Sequence, residues 1–202
     1  MLDVDVIHDA ETAISALDPI RSRLLAELVE PASAATLAAR LGIPRQKVNY
    51  HLRTLEAHKL VTIAQQRQWG GLIEHLFVAS AASYVVSPSA LGPAAADPNR
   101  TRDRLSASYL IALAARVVRE VGALWCAATA KNKRLATLSI DTVIRFKSAG
   151  DRAAFTAELA TAVTALAARY HDEQTHGGRA HRLVLVAYPA PNEAPSTSAK
   201  DL

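Results

Sequence analysis

Cysteine is almost absent from this chain of 202 residues, which contains only Cys126. A single cysteine excludes any intrachain disulfide framework and gives no support for secretion. The N-terminal residues MLDVDVIHDAE are acidic and lack a basic region followed by an apolar run, so no signal peptide is predicted. No stretch of about eighteen uninterrupted apolar residues occurs, so no membrane span is predicted. We therefore expect a soluble cytoplasmic protein.

Motifs of the common enzyme families are missing as well. The sequence has no nucleophile elbow, no phosphate-binding loop and no HExxH zinc motif, so we predict neither an enzyme nor a bound cofactor. Aromatic residues make up only 5% of the chain, although 50% is hydrophobic. The apolar surface is therefore built mainly from Ala, Leu and Val, which is enough for one large domain or two small ones.

Charge is distributed unevenly around a modest net value of +4. The first thirty residues are mainly acidic, whereas the segment from Arg40 to Arg67 carries six basic residues and only one acidic residue, Glu56. Such local polarity suits a face that approaches a polyanion.

The segment from Ser33 to Val61 has the pattern of two helices joined by a tight turn. Ser33 is suited to cap a short first helix, and Gly42 follows its end, where positive φ is common. Pro44 is predicted to be the first residue of the second helix. An earlier helix is predicted from Asp18 and Pro19, with Leu24 on its apolar face.

The second helix of this pair is amphipathic, with Val48, Leu52 and Leu55 forming its apolar stripe. The opposite, polar face consists of Arg45, Gln46, Asn49, Tyr50 and Arg53. Arginine and asparagine are well shaped to contact guanine and adenine in the major groove. A helix-turn-helix used only for protein contact is the alternative, but packing gives Arg45, Asn49 and Arg53 no reason to share an outer face.

A β-hairpin is predicted after this helix. Residues 61–66 alternate like a half-buried strand, residues 67–71 (RQWGG) form the predicted turn, and residues 72–78 return as a second strand. Arg67 and Gln68 are thereby predicted at the tip, where they can contact phosphate or the minor groove.

Together, the residues LAARLGIPRQKVNYHLRTLEAHKLV and the preceding DPIRSRLLAELVE resemble the ArsR-type (arsenic-repressor-like) winged-helix regulators. The resemblance covers roughly the first eighty-five residues. It implies that residues 1–85 are a DNA-binding domain. We predict that Lys47, Arg67 and Gln68 contact the phosphates of the DNA backbone. Many members of the family sense metals through cysteine pairs in this domain. The corresponding region here has no cysteine, so we predict no metal site.

The C-terminal half is predicted to be a second domain, residues 104–188, after a linker at residues 86–103 that contains three prolines and a glycine. A long helix over residues 104–130 carries a narrow apolar seam that suits pairing with another helix, either within the chain or between chains. Its members are Leu110, Leu113, Val117, Val121, Leu124 and Ala128, whereas Arg116, Arg119 and Glu120 are predicted to face outward. A strand at 136–146, a helix at 150–170 and a strand in RLVLVAYP then form a predicted βαβ-like unit, and residues 189–202 a disordered tail.

We therefore predict an α+β fold in which an N-terminal winged helix-turn-helix is followed by a long helix and a small βαβ-like domain. The predicted function is that of a homodimeric transcriptional regulator that binds a near-palindromic operator in double-stranded DNA and responds to an unidentified small-molecule effector. The alternative is a metal-binding or enzymatic protein that uses the loop containing His171, His176 and His181. That loop also contains Asp172 and Glu173, but its spacing matches no known metal motif.

Overall fold

The computed structural model describes residues 1–69, 71–172, 174 and 176–191, which form two compact units divided between Leu135 and Ala136. The predicted disordered tail lies outside the described residues from position 192 onward. No helix in the described ranges is long and apolar enough to cross a membrane.

The first unit is an α+β winged helix-turn-helix extended by a long helix, as predicted. Its elements in chain order are β1 (Asp5–Ile7), α1 (Ala10–Leu17), α2 (Pro19–Glu27), β2 (Ala32–Ser33), α3 (Ala34–Leu41), α4 (Arg45–Ala57), β3 (Val61–Trp69), β4 (Leu72–Ala79), β5 (Tyr84–Val86), two short 3-10 helices (Pro88–Ala94 and Pro98–Arg100) and α5 (Ala107–Ala130).

Side-chain caps fix where the first helices begin. The Asp18 carboxylate accepts hydrogen bonds from the amides of Ile20 and Arg21, both at 3.0 Å. The Ser33 hydroxyl accepts one from the amide of Thr36 at 3.2 Å. Each cap satisfies a first-turn amide that has no partner within its helix. The predicted helix starts at Asp18 and Ser33 are therefore confirmed.

The turn between α3 and α4 depends on Gly42, whose φ of +64° lies in the left-handed region. Pro44 is not the first residue of α4, as the sequence predicted, but the residue that precedes it. Its ψ of 133° is not helical, and its carbonyl already accepts the amide of Val48 at 3.1 Å, as an N-cap carbonyl does. The fixed φ of proline suits either position, which is why the sequence alone did not separate them.

The core of the first unit lies among α2, α3 and α4, and the predicted stripe of α4 is buried within it. Residues at the centre of this core are Leu24, Leu28, Leu37, Val48, Leu52, Leu55, Leu60 and Val61. Burying one such Leu side chain contributes about 1.5–3 kcal/mol, so the stripe determines which face of α4 is turned inward.

The wing is a three-stranded antiparallel sheet with the order β2–β4–β3. The predicted turn at 67–71 is too wide, because β3 continues to Trp69, opposite Leu72. Two glycines alone connect the strands, and a two-residue loop is enough for a hairpin. Arg67 and Gln68 are therefore not at the tip but inside the ladder, paired with Glu74 and Ile73.

The predicted linker at 86–103 contains the two 3-10 helices, which pack against α5. α5 begins at Ala107, three residues later than predicted, with Ser106 as its cap. Arg116 was predicted to face outward but pairs with Asp97 at 3.3 Å and is mostly buried. The compact first unit therefore includes α5. That residues 1–85 and 104–188 fold as separate domains stays a prediction.

α5 lies very close to β1 at Gly122. A Cβ atom built on this glycine would be 3.0 Å from Val6 Cγ1 and 3.1 Å from His8 Cε1, closer than ordinary van der Waals contact. β1 in turn pairs in parallel with β5. A larger residue at position 122 would require the side chains of Val6 and His8 to move by a few tenths of an ångström, so this close approach favours glycine.

The second unit contains α6 (Ala149–Tyr170), which confirms the predicted helix. The two flanking segments, 136–146 and 182–188, were predicted to be neighbouring strands, but neither belongs to a strand ladder in the described part of the chain. The prediction that these two segments pair with each other as strands is therefore wrong for a single chain. Alternation sets which side chains share a face, but it does not supply the partner backbone that makes a segment a strand.

Two left-handed residues near α4 should respond oppositely to substitution. Lys59 has a φ of +60° at the end of α4, where glycine is the common residue, because left-handed backbone strains any residue with a Cβ. Gly42→Ala should lower, and Lys59→Gly raise, the free energy of unfolding by about 1 kcal/mol each. Urea unfolding followed by circular dichroism measures both, and shifts in the same direction would contradict this account.

Candidate nucleic-acid interface

Three polar residues of α4 form one exposed stripe beside the wing. Arg45, Asn49 and Arg53 are four residues apart, so each lies about one helical turn beyond the last on the same face. They line one side of a groove of about 220 Å³. The remaining lining residues are Ala34, Glu56, Ile63, Ile73, Glu74, His75 and Phe77.

The other predicted DNA-contacting residues lie outside this groove but are all exposed. Gln46, Lys47 and Tyr50 are on the adjoining surface of α4, and the Tyr50 ring makes an edge-on contact with the His51 ring at 5.3 Å. Arg67 and Gln68 lie on β3. The structure therefore brings Arg45, Asn49 and Arg53 together and divides the other five between α4 and the wing.

The cations of this surface are available to bind an anion. Within the described ranges, Arg45, Arg53 and Arg67 form no salt bridge, whereas Arg40, on α3, pairs with Glu27 at 3.4 Å. Glu74 lies opposite Arg67 in the ladder without pairing with it. An unpaired guanidinium can contact a phosphate without first breaking an internal ion pair.

The N-terminus of α4 adds a positive pole to the same surface. Pro44 precedes the helix, and no side chain caps it. The first-turn amides have no acceptor within a helix, and the helix dipole makes this end partly positive. Such an end suits a phosphate oxygen.

His51 supports this surface from behind and was missed by the sequence analysis. Its side chain is only 6% exposed, and neither ring nitrogen has a hydrogen-bond partner among the described residues. Burial lowers the pKa of His51, and the positive charges of Arg21 and Lys47 lower it further, whereas Asp18 acts in the opposite direction. Its position, three residues after Val48 and four before Leu55, is the signal that could have placed it on the buried stripe.

The histidine-rich loop gains no support as a metal site. Within the described residues, no group of three or more His, Cys, Asp or Glu side chains is placed to hold a metal ion. Glu173, one of the predicted candidates, lies outside those residues.

A second, mainly apolar pocket of about 210 Å³ lies between α5 and the N-terminal residues. Trp125 and Cys126 line it from the helix, and Val4 and Val6 are among its lining residues from the N-terminal side. The Cys126 sulfur is 3.7 Å from Nε2 of His8. The pocket is large enough for a small organic molecule and has few polar groups to orient one.

Comparison with known proteins assigns the class of this domain. A family model described as a helix-turn-helix domain matches residues 16–64, which span α2, α3 and α4. Residues 16–64 are therefore a helix-turn-helix domain, in agreement with the fold. NolR from Sinorhizobium fredii, a solved structure, is 25% identical over 36% of this chain and 68% of that chain, with a TM-score of 0.30. No curated protein matches the chain significantly.

Burial of His51 predicts a pH-dependent stability with a definite sign. Because its pKa is lower in the fold than the ordinary 6.5, the unfolded chain takes up a proton first as the pH falls. The contribution of His51 is therefore complete above about pH 6.5 and is lost progressively as the pH falls toward the folded pKa. His51→Leu should show a smaller loss of unfolding free energy between about pH 8 and about pH 5.

Denaturant unfolding at the two pH values checks this expectation. Gln46→Leu, an exposed substitution on the same helix, should keep the pH dependence of the parent protein. A pH dependence unchanged in His51→Leu would show that this imidazole does not contribute to it.

Proposed function

We propose that this protein is a sequence-specific DNA-binding transcriptional regulator of the ArsR type that acts in the cytoplasm. The observation that carries the proposal is the exposed, unpaired stripe of Arg45, Asn49 and Arg53 on the second helix of a helix-turn-helix. An α-helix fits the major groove of B-DNA, and these side chains project from the face that would meet the bases.

The residues of the interface divide into two roles. Arg45 and Arg53 suit the O6 and N7 acceptors of guanine, and Asn49 suits adenine. Gln46 and Tyr50 extend the base-contacting set. Lys47, at the uncapped start of α4, together with Arg67 and Gln68 on the wing, contacts phosphates and fixes the register of the helix.

A homodimer presents two copies of α4 to the DNA. Ala112 and Gly122 are buried against the chain, whereas Val121 and Leu124 of the predicted seam are 40% and 56% exposed. The other four seam residues are partly buried, so the seam is open at Val121 and Leu124, and this exposed part supports pairing with α5 of a second copy. Two recognition helices about one DNA turn apart require a near-palindromic operator.

The pocket beside Trp125 and Cys126 is the candidate site for a small-molecule effector. It adjoins the face of α5 opposite the seam, so a bound molecule can affect dimer geometry through that helix. It changes DNA affinity only if it binds the DNA-competent and incompetent geometries with different free energies.

Substitutions in the interface should separate specificity from general affinity. Arg45→Ala or Asn49→Ala should cost about 1–3 kcal/mol on the cognate site and relax the preference at one base position. Arg67→Ala should weaken all sequences similarly and reduce the salt dependence, because it removes a phosphate contact. Selection from a random DNA library, followed by titrations at several salt concentrations, measures both effects.

Arg152→Ala is the matched control, because this exposed arginine lies on α6, outside the helix-turn-helix domain. It should leave specific binding unchanged. If Arg45→Ala and Asn49→Ala also bind the selected site with the parent affinity, α4 does not contact the bases.

The seam prediction is tested on two adjacent residues of α5. Leu124→Lys places a charge within the proposed helix pair and should shift the protein from dimer to monomer, since a buried unpaired charge is strongly unfavourable. Ala123→Lys adds the same charge to an exposed position on another side of the helix and should leave the dimer intact. Sedimentation velocity distinguishes the two, and a monomeric parent protein or a dimeric Leu124→Lys variant would contradict this interface.

A further inference from the structure

We propose that residues 138–148 pair with the same segment of a second copy as antiparallel strands, with Val143 on the two-fold axis. The partner that pairs with this segment is therefore another molecule of the same protein. The inference goes beyond the proposed function, because neither the DNA-contacting surface nor the α5 seam includes any of these residues.

The segment is apolar on one side and largely uncovered. Exposure of its even-numbered apolar residues increases with distance from α6: Phe146 is 37% exposed, Ile144 46%, Ile140 80% and Leu138 83%. Only the end nearest α6 is partly covered, where the Phe146 ring lies 5.3 Å from the ring of Phe155. The other end has side chains that are typical of a strand, but it pairs with none of the described strands.

α6 presents a matching surface that its own chain leaves open. Its apolar side chains Phe155, Leu159 and Leu166 are all exposed, and no residue of the helix is buried. One helix and one unpaired segment cannot form a core, because an isolated strand gains neither ladder hydrogen bonds nor two-sided burial. A second strand beside the first would cover the apolar surface next to Phe146.

The sequence of the segment is self-complementary about Val143. In antiparallel pairing, the numbers of two residues that lie opposite each other have a constant sum. For an axis at Val143 this sum is twice 143. Asp141 of each copy then lies opposite Arg145 of the other, so two opposite-charge pairs form across the axis. On the other face, Ile140 lies opposite Phe146 and Thr142 opposite Ile144, so every apolar residue of the segment except Val143 lies on one side.

The axis at Val143 combines two opposite-charge pairs with two apolar pairs of Ile140 with Phe146, which no neighbouring register does. Placing Asp141 or Arg145 on the axis puts like charges directly opposite each other, which is destabilising. An axis at Thr142 pairs Ile140 with Ile144 and Leu138 with Phe146, but it forms no opposite-charge pair because both charges lie opposite uncharged residues. An axis at Ile144 pairs Asp141 with Lys147 but leaves only one apolar pair, Ile144 with its own copy.

The remaining candidate partner is the later segment of the same chain. Residues 183–188 (LVLVAY) are apolar and also belong to no ladder among the described residues. They contain no charged residue to place opposite Asp141 or Arg145. Charge complementarity therefore favours a second copy over this segment as the direct neighbour.

Disulfide trapping in the full-length chain tests the register. In a Cys126→Ser background, Val143→Cys places two thiols directly opposite each other, about 5 Å apart between Cβ atoms and within reach of a disulfide. Mild oxidation should double the mass from 21.6 kDa on a non-reducing gel. Asp141→Cys and Arg145→Cys are matched controls, because each thiol lies about 13 Å from its own symmetry copy. Neither should cross-link alone, but an equimolar mixture of the two should.

The outcomes separate this inference from the proposed function. Val143→Cys protein that sediments as a dimer yet does not cross-link, or that cross-links no faster than Asp141→Cys, overturns the proposed strand pairing. A monomeric protein overturns it as well. Adding Leu124→Lys to Val143→Cys removes the proposed pairing of the two α5 helices. Cross-linking that persists in this double variant shows that the strand pairing forms without the α5 seam. DNA binding is measured separately on the parent protein and bears on neither result.

Discussion

Burial of one stripe of α4 is the constraint on which the candidate interface depends. Val48, Leu52 and Leu55 are removed from water against α2 and α3, so the rotation of the helix about its own axis is fixed. Because the helical period is fixed as well, Arg45, Asn49 and Arg53 must then face outward. The apolar face thus positions the polar one, and none of these three side chains forms a hydrogen bond with another described residue.

The cations of this face form no ion pair with the carboxylates near them. Arg45 has no acidic neighbour at helical spacing, and neither Glu56, three residues after Arg53, nor Glu74, opposite Arg67, forms a salt bridge with its neighbouring arginine. An exposed ion pair would contribute little stability, so leaving these side chains unpaired costs the fold little. Their charge therefore remains available to an anionic partner.

The sequence was sufficient where the determining interaction is local. The caps at Asp18 and Ser33, the left-handed Gly42 and the stripe of α4 depend on residues within one or two turns of each other. It was insufficient where a distant residue decides the outcome. Arg116 looked like an outward-facing helix residue because nothing in its own helix reveals Asp97, nineteen positions earlier. The wing tip was misplaced because polar side chains in a ladder resemble those of a turn.

The C-terminal unit shows most clearly where prediction from the sequence fails. Alternation at 136–146 predicts which side chains share a face, but the partner strand is not encoded in the alternation itself. His51 is a different case, because its spacing from Val48 and Leu55 marked it as buried and only its polar identity argued otherwise. Periodicity was the better guide to its burial, and chemistry the better guide to the effect of burial on its pKa.

The contact at Gly122 has a mechanical consequence. Val6 Cγ1 and His8 Cε1 lie 3.0 and 3.1 Å from the position of a Cβ atom at residue 122, so α5 and the N-terminal segment are closely packed there, and close-packed contacts transmit displacement. β1 is hydrogen-bonded to β5, which lies five residues beyond the end of wing strand β4. The close approach at Gly122 therefore connects α5, through β1 and its partner β5, to the segment that follows the wing.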